Sequence, residues 1–261
     1  MSTQPKETAV EVQQVTQRFF APETLEGFNT EESPQNTGSY FTALDNVSFS
    51  LYKGECTLIG GANGSGKSIL MSIIAGLQTP TRGKASCTGR CGLVFQDADT
   101  QILGETPAED IMFGLKNLKV AKDDAQKRCR DALEKTGLLK RTSFPARFLS
   151  GGEKRRLAVA GILAMDCPVI IFDEPYANLD YTGVVQVNNL IRMLKKDGRT
   201  VVLLTHELEK CYALADRFMV LYAGQLVFDG SPDEGLACNL TQWNIRHPLC
   251  TYKKREDLLW T

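Results

Sequence analysis

Cys56-Thr57-Leu58-Ile59-Gly60-Gly61-Ala62-Asn63-Gly64-Ser65-Gly66-Lys67-Ser68 is the stretch whose reading decides the fold. It opens with a short apolar run that reads as a buried strand. It then passes through a glycine-rich loop, and apolar residues at 69, 70, 73, 74 and 77 share one face of a helix. Strand, loop and helix in that order make a phosphate cradle. Glycines let backbone N–H groups turn inward where side chains would block an anion. The helix start near Gly66 and Lys67 adds its partial positive end. The candidate nucleotide-binding positions are therefore Gly61, Ala62, Asn63, Gly64, Ser65, Gly66, Lys67 and Ser68. Lys67 is placed to reach β- and γ-phosphates and Ser68 to ligate Mg²⁺. A glycine turn before an ordinary helix is the competing reading, and the strand upstream argues against it.

Two later segments belong with this one. Val169-Ile170-Ile171-Phe172 is a continuous apolar run ending in Asp173-Glu174-Pro175. Adjacent residues at a strand end point different ways, so Asp173 can face a metal while Glu174 polarises a water aligned with the γ-phosphate. Between the two lies Leu149-Ser150-Gly151-Gly152-Glu153, followed by a good helix sequence. Ser150 and Glu153 have the spacing of a capping box. The same exposed amides of Ser150, Gly151 and Gly152 can hold an anion, a function needed only if a nucleotide is shared between two protein surfaces. Gln96 follows the apolar run 92–95 and is a candidate for the metal or the attacking water. His206 follows the run 201–204. Ligands of open α/β sheets gather at such carboxyl edges, so Glu174, His206 and Gln96 form the candidate catalytic set and Ser68, Gln96 and Asp173 the candidate metal set.

The 261 residues, 43% of them hydrophobic, suffice for one large α/β domain or a core with a small subdomain. A formal net charge of -1 and no basic stripe argue against a nucleic-acid partner. No apolar stretch is long enough to span a bilayer, and residues 1–10 lack the apolar segment of a secretory signal. The chain is expected to stay in the cytoplasm and to reach a membrane only through a partner. Of the 8 cysteines, only Cys87 and Cys91 are close in sequence, and neither they nor the two histidines complete a zinc site.

The pattern divides the chain into an α/β core, 8–96 and 168–236, a helical subdomain, 97–167, and a tail, 237–261. Residues 10–20 and 43–51 read as strands, 185–196 as a helix, and 218–221 with 225–228 as a hairpin turning at Ala223-Gly224. The polar stretch 21–39 reads as a surface loop.

The six segments in this order resemble the ATPase subunits of ABC transporters, over about residues 10 to 236. The Walker A loop is 61–68, the Q-loop Gln96, the signature 149–153, Walker B 169–173 with Glu174, the D-loop Ala177-Asn178-Leu179-Asp180, and the switch histidine His206. A narrower similarity, to the energy-coupling factor (ECF) ATPases, rests on 95–103, on 109–114 with Asn117-Leu118, and on 153–161. Tyr176 and Asn178 depart from the usual small residues around the D-loop.

The resemblance implies a P-loop NTPase core with a mainly parallel sheet, an antiparallel β portion and an inserted helical signature subdomain. It implies ATP and Mg²⁺ as cofactors. Site residues would include Asp180 in the D-loop and an aromatic on adenine, Phe19 or its rival Tyr40. The partners it implies are a second ATPase, identical or related, a transmembrane coupling subunit, and a membrane substrate-binding subunit for a vitamin or transition-metal ion. It places the chain peripherally at the cytoplasmic face of a prokaryotic membrane. By the same resemblance 96–113 is expected to form the partner's groove, made acidic by Asp97, Asp99, Glu109 and Asp110 and suited to an arginine. The alternative functions are a soluble ABC-type ATPase acting on nucleic acid or ribosomes, and a small-molecule kinase. The first usually carries a coiled-coil insertion or a second ATPase copy, absent here; the second leaves the signature and His206 unexplained.

Overall fold

The computed structural model describes residues 6–21, 30–32, 39–251 and 253–255. The elements are β1 (Thr8–Ala21), β2 (Thr30–Glu32), β3 (Ser39–Tyr52), β4 (Cys56–Gly60), α1 (Lys67–Ile74), β5 (Arg82–Cys87) and β6 (Cys91–Val94). They continue with α2 (Pro107–Asn117), α3 (Lys122–Lys135), α4 (Gly151–Ala164), β7 (Val169–Asp173), α5 (Tyr181–Lys196), β8 (Thr200–Thr205), β9 (Arg217–Tyr222), β10 (Gln225–Gly230) and α6 (Pro232–Leu236).

Six strands form one sheet in the order β10-β9-β4-β8-β7-β6, parallel except for the β9–β10 hairpin. β4, β7 and β8 are apolar along almost their whole length because both faces are covered. The hairpin turns where the sequence places it: Ala223 and Gly224 both take positive φ, the type I′ geometry that matches strand twist. A second, antiparallel sheet runs β2-β3-β1-β5. Its inward residues, Val10, Val12, Val15, Leu44, Val47 and Leu51, pack with α1 against Ile59, Ile171, Val202 and Met219 of the first sheet.

α2, α3 and α4 enclose a core of their own around Leu115, Leu133, Leu138 and Leu157. The far end of α4 seats on the parallel sheet at Gly92. A Cβ there would lie 2.3 Å from Ile162 Cγ2, so the helix can approach β6 only because that residue is glycine.

Besides the short helix α6, which has no counterpart in the sequence reading, three features differ from it. β5 was not anticipated: its residues are largely exposed and lack alternation, and the strand exists through its pairing with Val10–Gln13 of β1. Within 21–39, Thr30–Glu32 is a strand paired with Ser39–Phe41 of β3 rather than loop; 22–29 and 33–38 lie outside the described residues. Beyond α6, Leu240 and Ile245 are buried in the main core, and the Trp243 ring lies 6.2 Å from Phe228, so the start of the tail is packed chain.

Candidate active site

Strand register builds the site. Gly60 of β4 pairs with Thr205 of β8, Leu204 with Asp173 of β7, and Phe172 with Val94 of β6. The exits of four parallel strands thus lie side by side at one edge, and the phosphate loop, Asp173-Glu174, His206 and Gln96 all leave from it.

The phosphate loop is held in place from the hairpin side. Gly224 N–H donates to Ser65 O (3.2 Å), and Asp45 N–H to Gly224 O (2.9 Å). Gly66 caps α1 at φ +101; a Cβ there would sit 2.7 Å from Ala43 O, so both conformation and space require glycine. No side chain caps α1, which leaves its first amides for an anion. The Lys67 ammonium is buried and donates to Gly61 O (2.7 Å) and Ala62 O (3.0 Å). Burial pulls its pKa down, and the carboxylates of Glu174 and Asp173 oppose that shift.

Asp173 and Ser68 meet: Ser68 Oγ donates to Asp173 Oδ2 at 3.1 Å. Asp173 Oδ1 and Ser65 Oγ are buried with no hydrogen-bond partner. Desolvation raises the Asp173 pKa, against the Ser68 hydrogen bond that lowers it. An unpartnered carboxylate oxygen beside a serine hydroxyl and a phosphate loop is a hard-oxygen donor set of the kind Mg²⁺ takes when substrate phosphates complete its shell. No group of three or more His, Cys, Asp or Glu side chains among the described residues could hold a metal by itself.

Glu174 is the most constrained residue at the edge. Its φ is +44, a left-handed conformation uncommon outside glycine, and its N–H is fixed to Leu204 O at 2.8 Å. Thr205 Oγ1–H donates to Glu174 Oε2 (2.8 Å), and His206 Nδ1 meets Glu174 Oε1 at 2.9 Å. A carboxylate only accepts, so this contact assigns the His206 proton to Nδ1. Lys67 Nζ stands 3.9 Å from the same carboxylate. A carboxylate held by a threonine, a histidine and a lysine at the mouth of a phosphate loop can orient and deprotonate water.

The signature end is built differently. Ser150 caps α4 in a full capping box: Glu153 N–H donates to Ser150 Oγ (3.3 Å), and Ser150 N–H to Glu153 Oε2 (2.9 Å). These hydrogen bonds, with Arg141 on the other carboxylate oxygen, hold the Glu153 pKa low. Gly151 is exposed, and a side chain there would meet nothing within 4 Å. Gly151 faces a cavity of about 300 Å³ lined also by Gln96, Lys154, Arg155 and the D-loop residues 177–179. Asp180 caps α5, accepting from Gly183 N–H at 2.7 Å.

The structure brings Lys67, Ser68, Asp173, Glu174 and His206 together. Gln96 is exposed and held through its backbone, so its reach toward the metal is not among these contacts. Phe19 lies on β1 opposite Phe41 and is 39% exposed, whereas Tyr40 packs edge-on against Phe20 at 5.7 Å. Two residues went unread in the sequence. One is Thr205, whose hydroxyl donates to Glu174. The other is Arg155, which is buried and donates to Gln96 O at 3.1 Å, tying the Q-loop to α4.

The acidic groups expected in one groove divide between two cavities: Asp97 and Asp99 line the one beside Gly151, and Glu109 the one between α2 and α3. Asp97 accepts from Asp99 N–H, Asp99 pairs with Lys154, and Asp110 accepts from the N–H groups of Leu103 and Gly104. Glu109 alone borders a larger cavity, about 580 Å³, between α2 and the start of α3. Its floor is Met112, Phe113, Val120 and Ala125, and its rim carries Lys116, Lys119 and Lys122.

Residues 44–177 match the ABC transporter family. The chain belongs to that family. It is similar to the energy-coupling factor transporter ATP-binding protein EcfA of Methanocaldococcus jannaschii, 37% identical over 73% of this chain and 74% of that protein. A putative ABC transporter ATP-binding protein of Methanothermobacter thermautotrophicus is 33% identical over 83% of this chain and 85% of its own length. Among solved structures, cbiO1 of Clostridium perfringens, part of the ABC transporter complex cbiONQ, superposes with a TM-score of 0.74 at 28% identity, covering 93% of this chain and 97% of that one. An ATP-binding cassette solved as a dimer in a post-hydrolysis state with ADP and Pi gives 0.69 at 26% identity, over 85% and 98%. This ABC protein is therefore an ATP-binding, ATP-hydrolysing transporter subunit with ECF-type relatives, and no described helix is long and apolar enough to cross a membrane.

Proposed function

We propose that two such chains, or this one and a related ATPase subunit, close head to tail with ATP between the phosphate loop of one and Ser150–Gly152 of the other. The observation that carries this reading is the exposed, capped N-terminus of α4, where a side chain built on Gly151 would meet nothing within 4 Å. Its amides offer a wall for a partner's γ-phosphate. Closure excludes water and aligns nucleophile and donors. Ser68 and Asp173, with Gln96 in the loaded state, would hold Mg²⁺, which would supply charge neutralisation for the β- and γ-phosphates. Glu174 takes the proton of the attacking water, and His206 holds the carboxylate in place and faces the γ-phosphate. Phe19 stacks on adenine, and Asp180 sets the D-loop at the seam. Hydrolysis removes the phosphate that both surfaces bind, and the clamp reopens.

The clamp moves a transmembrane coupling subunit, and a membrane substrate-binding subunit chooses the cargo, a vitamin or transition-metal ion. The names of the relatives, EcfA and cbiO1 of a cbiONQ complex, support that assembly and a place at the cytoplasmic membrane face. The groove between α2 and α3 is the docking surface: its apolar floor and three lysines suit a helix with carboxylates flanking an apolar stripe. Purifying the chain with its membrane partners tests the assignment. Combined Lys116→Glu, Lys119→Glu and Lys122→Glu should deplete the membrane subunits and leave ATP binding intact. Full recovery of the complex would move the docking surface elsewhere.

A further inference from the structure

We propose that Tyr176 is a positioning residue for ATP hydrolysis, its hydroxyl tying the Glu174 loop to the His206 loop through Asn188. Tyr176 lies two residues after Glu174 and is 0% exposed. Its hydroxyl donates to Asn188 Oδ1 at 2.7 Å, and Asn188 Nδ2 donates to Lys210 O at 2.9 Å. The Lys210 ammonium pairs with Glu207, whose N–H donates to Thr205 Oγ1 at 3.0 Å. Thr205 Oγ1 in turn donates to Glu174 Oε2. The chain of contacts closes on itself: Glu174, Pro175, Tyr176, Asn188, Lys210, Glu207, Thr205 and back to Glu174.

Apolar packing alone does not call for this hydroxyl. Burying a phenol costs free energy that phenylalanine avoids, and the cost is offset only when the O–H finds a partner. Here the partner sits on α5, the helix capped by Asp180, and passes the tie to the segment after β8. Burial also holds the phenol and the neighbouring Cys211 thiol in their protonated forms, which keeps Tyr176 a donor. Glu174 holds a left-handed φ that a free loop would abandon. The outer tie at Tyr176 and the inner tie at Thr205 together fix both loops, and the tolerance for a catalytic carboxylate is well under an ångström. The same tie connects the D-loop to the His206 segment, so displacement at residues 177–180 is carried to the catalytic edge.

The test is steady-state ATP hydrolysis by the whole chain in its active assembly, for Tyr176→Phe, Asn188→Asp and both together. Phenylalanine keeps the volume; aspartate still accepts from Tyr176 but cannot donate to Lys210 O. Each single variant should lose about tenfold in kcat with KM for ATP near the parent value; Asn188→Asp should also melt lower, because Lys210 O loses its donor. The double variant should be no slower than the worse single one, because one chain of contacts is broken only once. A folded Tyr176→Phe protein with parental kcat overturns the proposal, as does a double variant whose losses multiply. Should Tyr176→Phe fail to fold, Asn188→Asp decides on the same readouts: the kcat loss upholds the tie, and parental kcat overturns it.

Discussion

The phosphate-loop end and the signature end of this molecule both present a helix N-terminus to an anion, yet they are finished to different degrees. Around the phosphate loop the charged side chains are held within the chain, Lys67 on two carbonyls, Asp173 on Ser68 through one oxygen, and Glu174 on Thr205 and His206, and Asp173 Oδ1 stays unpartnered. At the signature the capping box is complete, but Gly151 stands in the open. One end is a site; the other is a surface. A chain that is pre-organised at one end and open at the other suits the head-to-tail pairing proposed above, in which a second protein completes the open end.

Breaking the finished end should have the largest effect. Glu174→Gln keeps the size of the side chain and loses the base, so single-turnover hydrolysis should fall by about 10²–10⁴-fold while ATP binding persists. Turnover at the parental rate would remove Glu174 from the chemistry. A smaller effect is expected where the two ends touch. Arg155→Leu leaves Gln96 O without its donor, at about 1–3 kcal/mol, seen as a lower melting temperature together with slower turnover. A change in neither would mean the Q-loop is held by other contacts. The smallest effect sharpens the open end. The Glu153 pKa is lowered in the folded chain, so its contribution to stability is full above the ordinary carboxylate pKa and is lost as pH falls through the lower folded value. Melting temperature measured down that acid range should drop less steeply for Glu153→Gln than for the parent; identical slopes would show that the capping box does not respond to this charge.

The chemistry-bearing loops were legible because each is short, contiguous and conformationally demanding. Gly66 at its left-handed φ and the Ala223-Gly224 turn are local requirements that a linear reading detects. Long-range compensation was not legible. β5 is a strand only because β1 pairs with it. The Oδ1 atoms of Asp97 and Asp110 accept from backbone amides a few residues away, a local use of those carboxylates that the sequence pattern does not show. Arg155 carries a surface residue's signature, and only the packing of α4 shows its burial. α6 was the avoidable miss: Ser231 and Pro232 with Glu234 spell a capping box, and the helix starts there.

The most direct test of the central claim is ATP turnover per chain as a function of protein concentration, with the monomer and dimer fractions followed by sedimentation. The account predicts that turnover per chain rises with the dimer fraction, and that Gly151→Glu, which has room to fold, flattens it to background while each chain still binds ATP. Constant turnover per chain in a population that sediments as monomer, unaffected by Gly151→Glu, would contradict it.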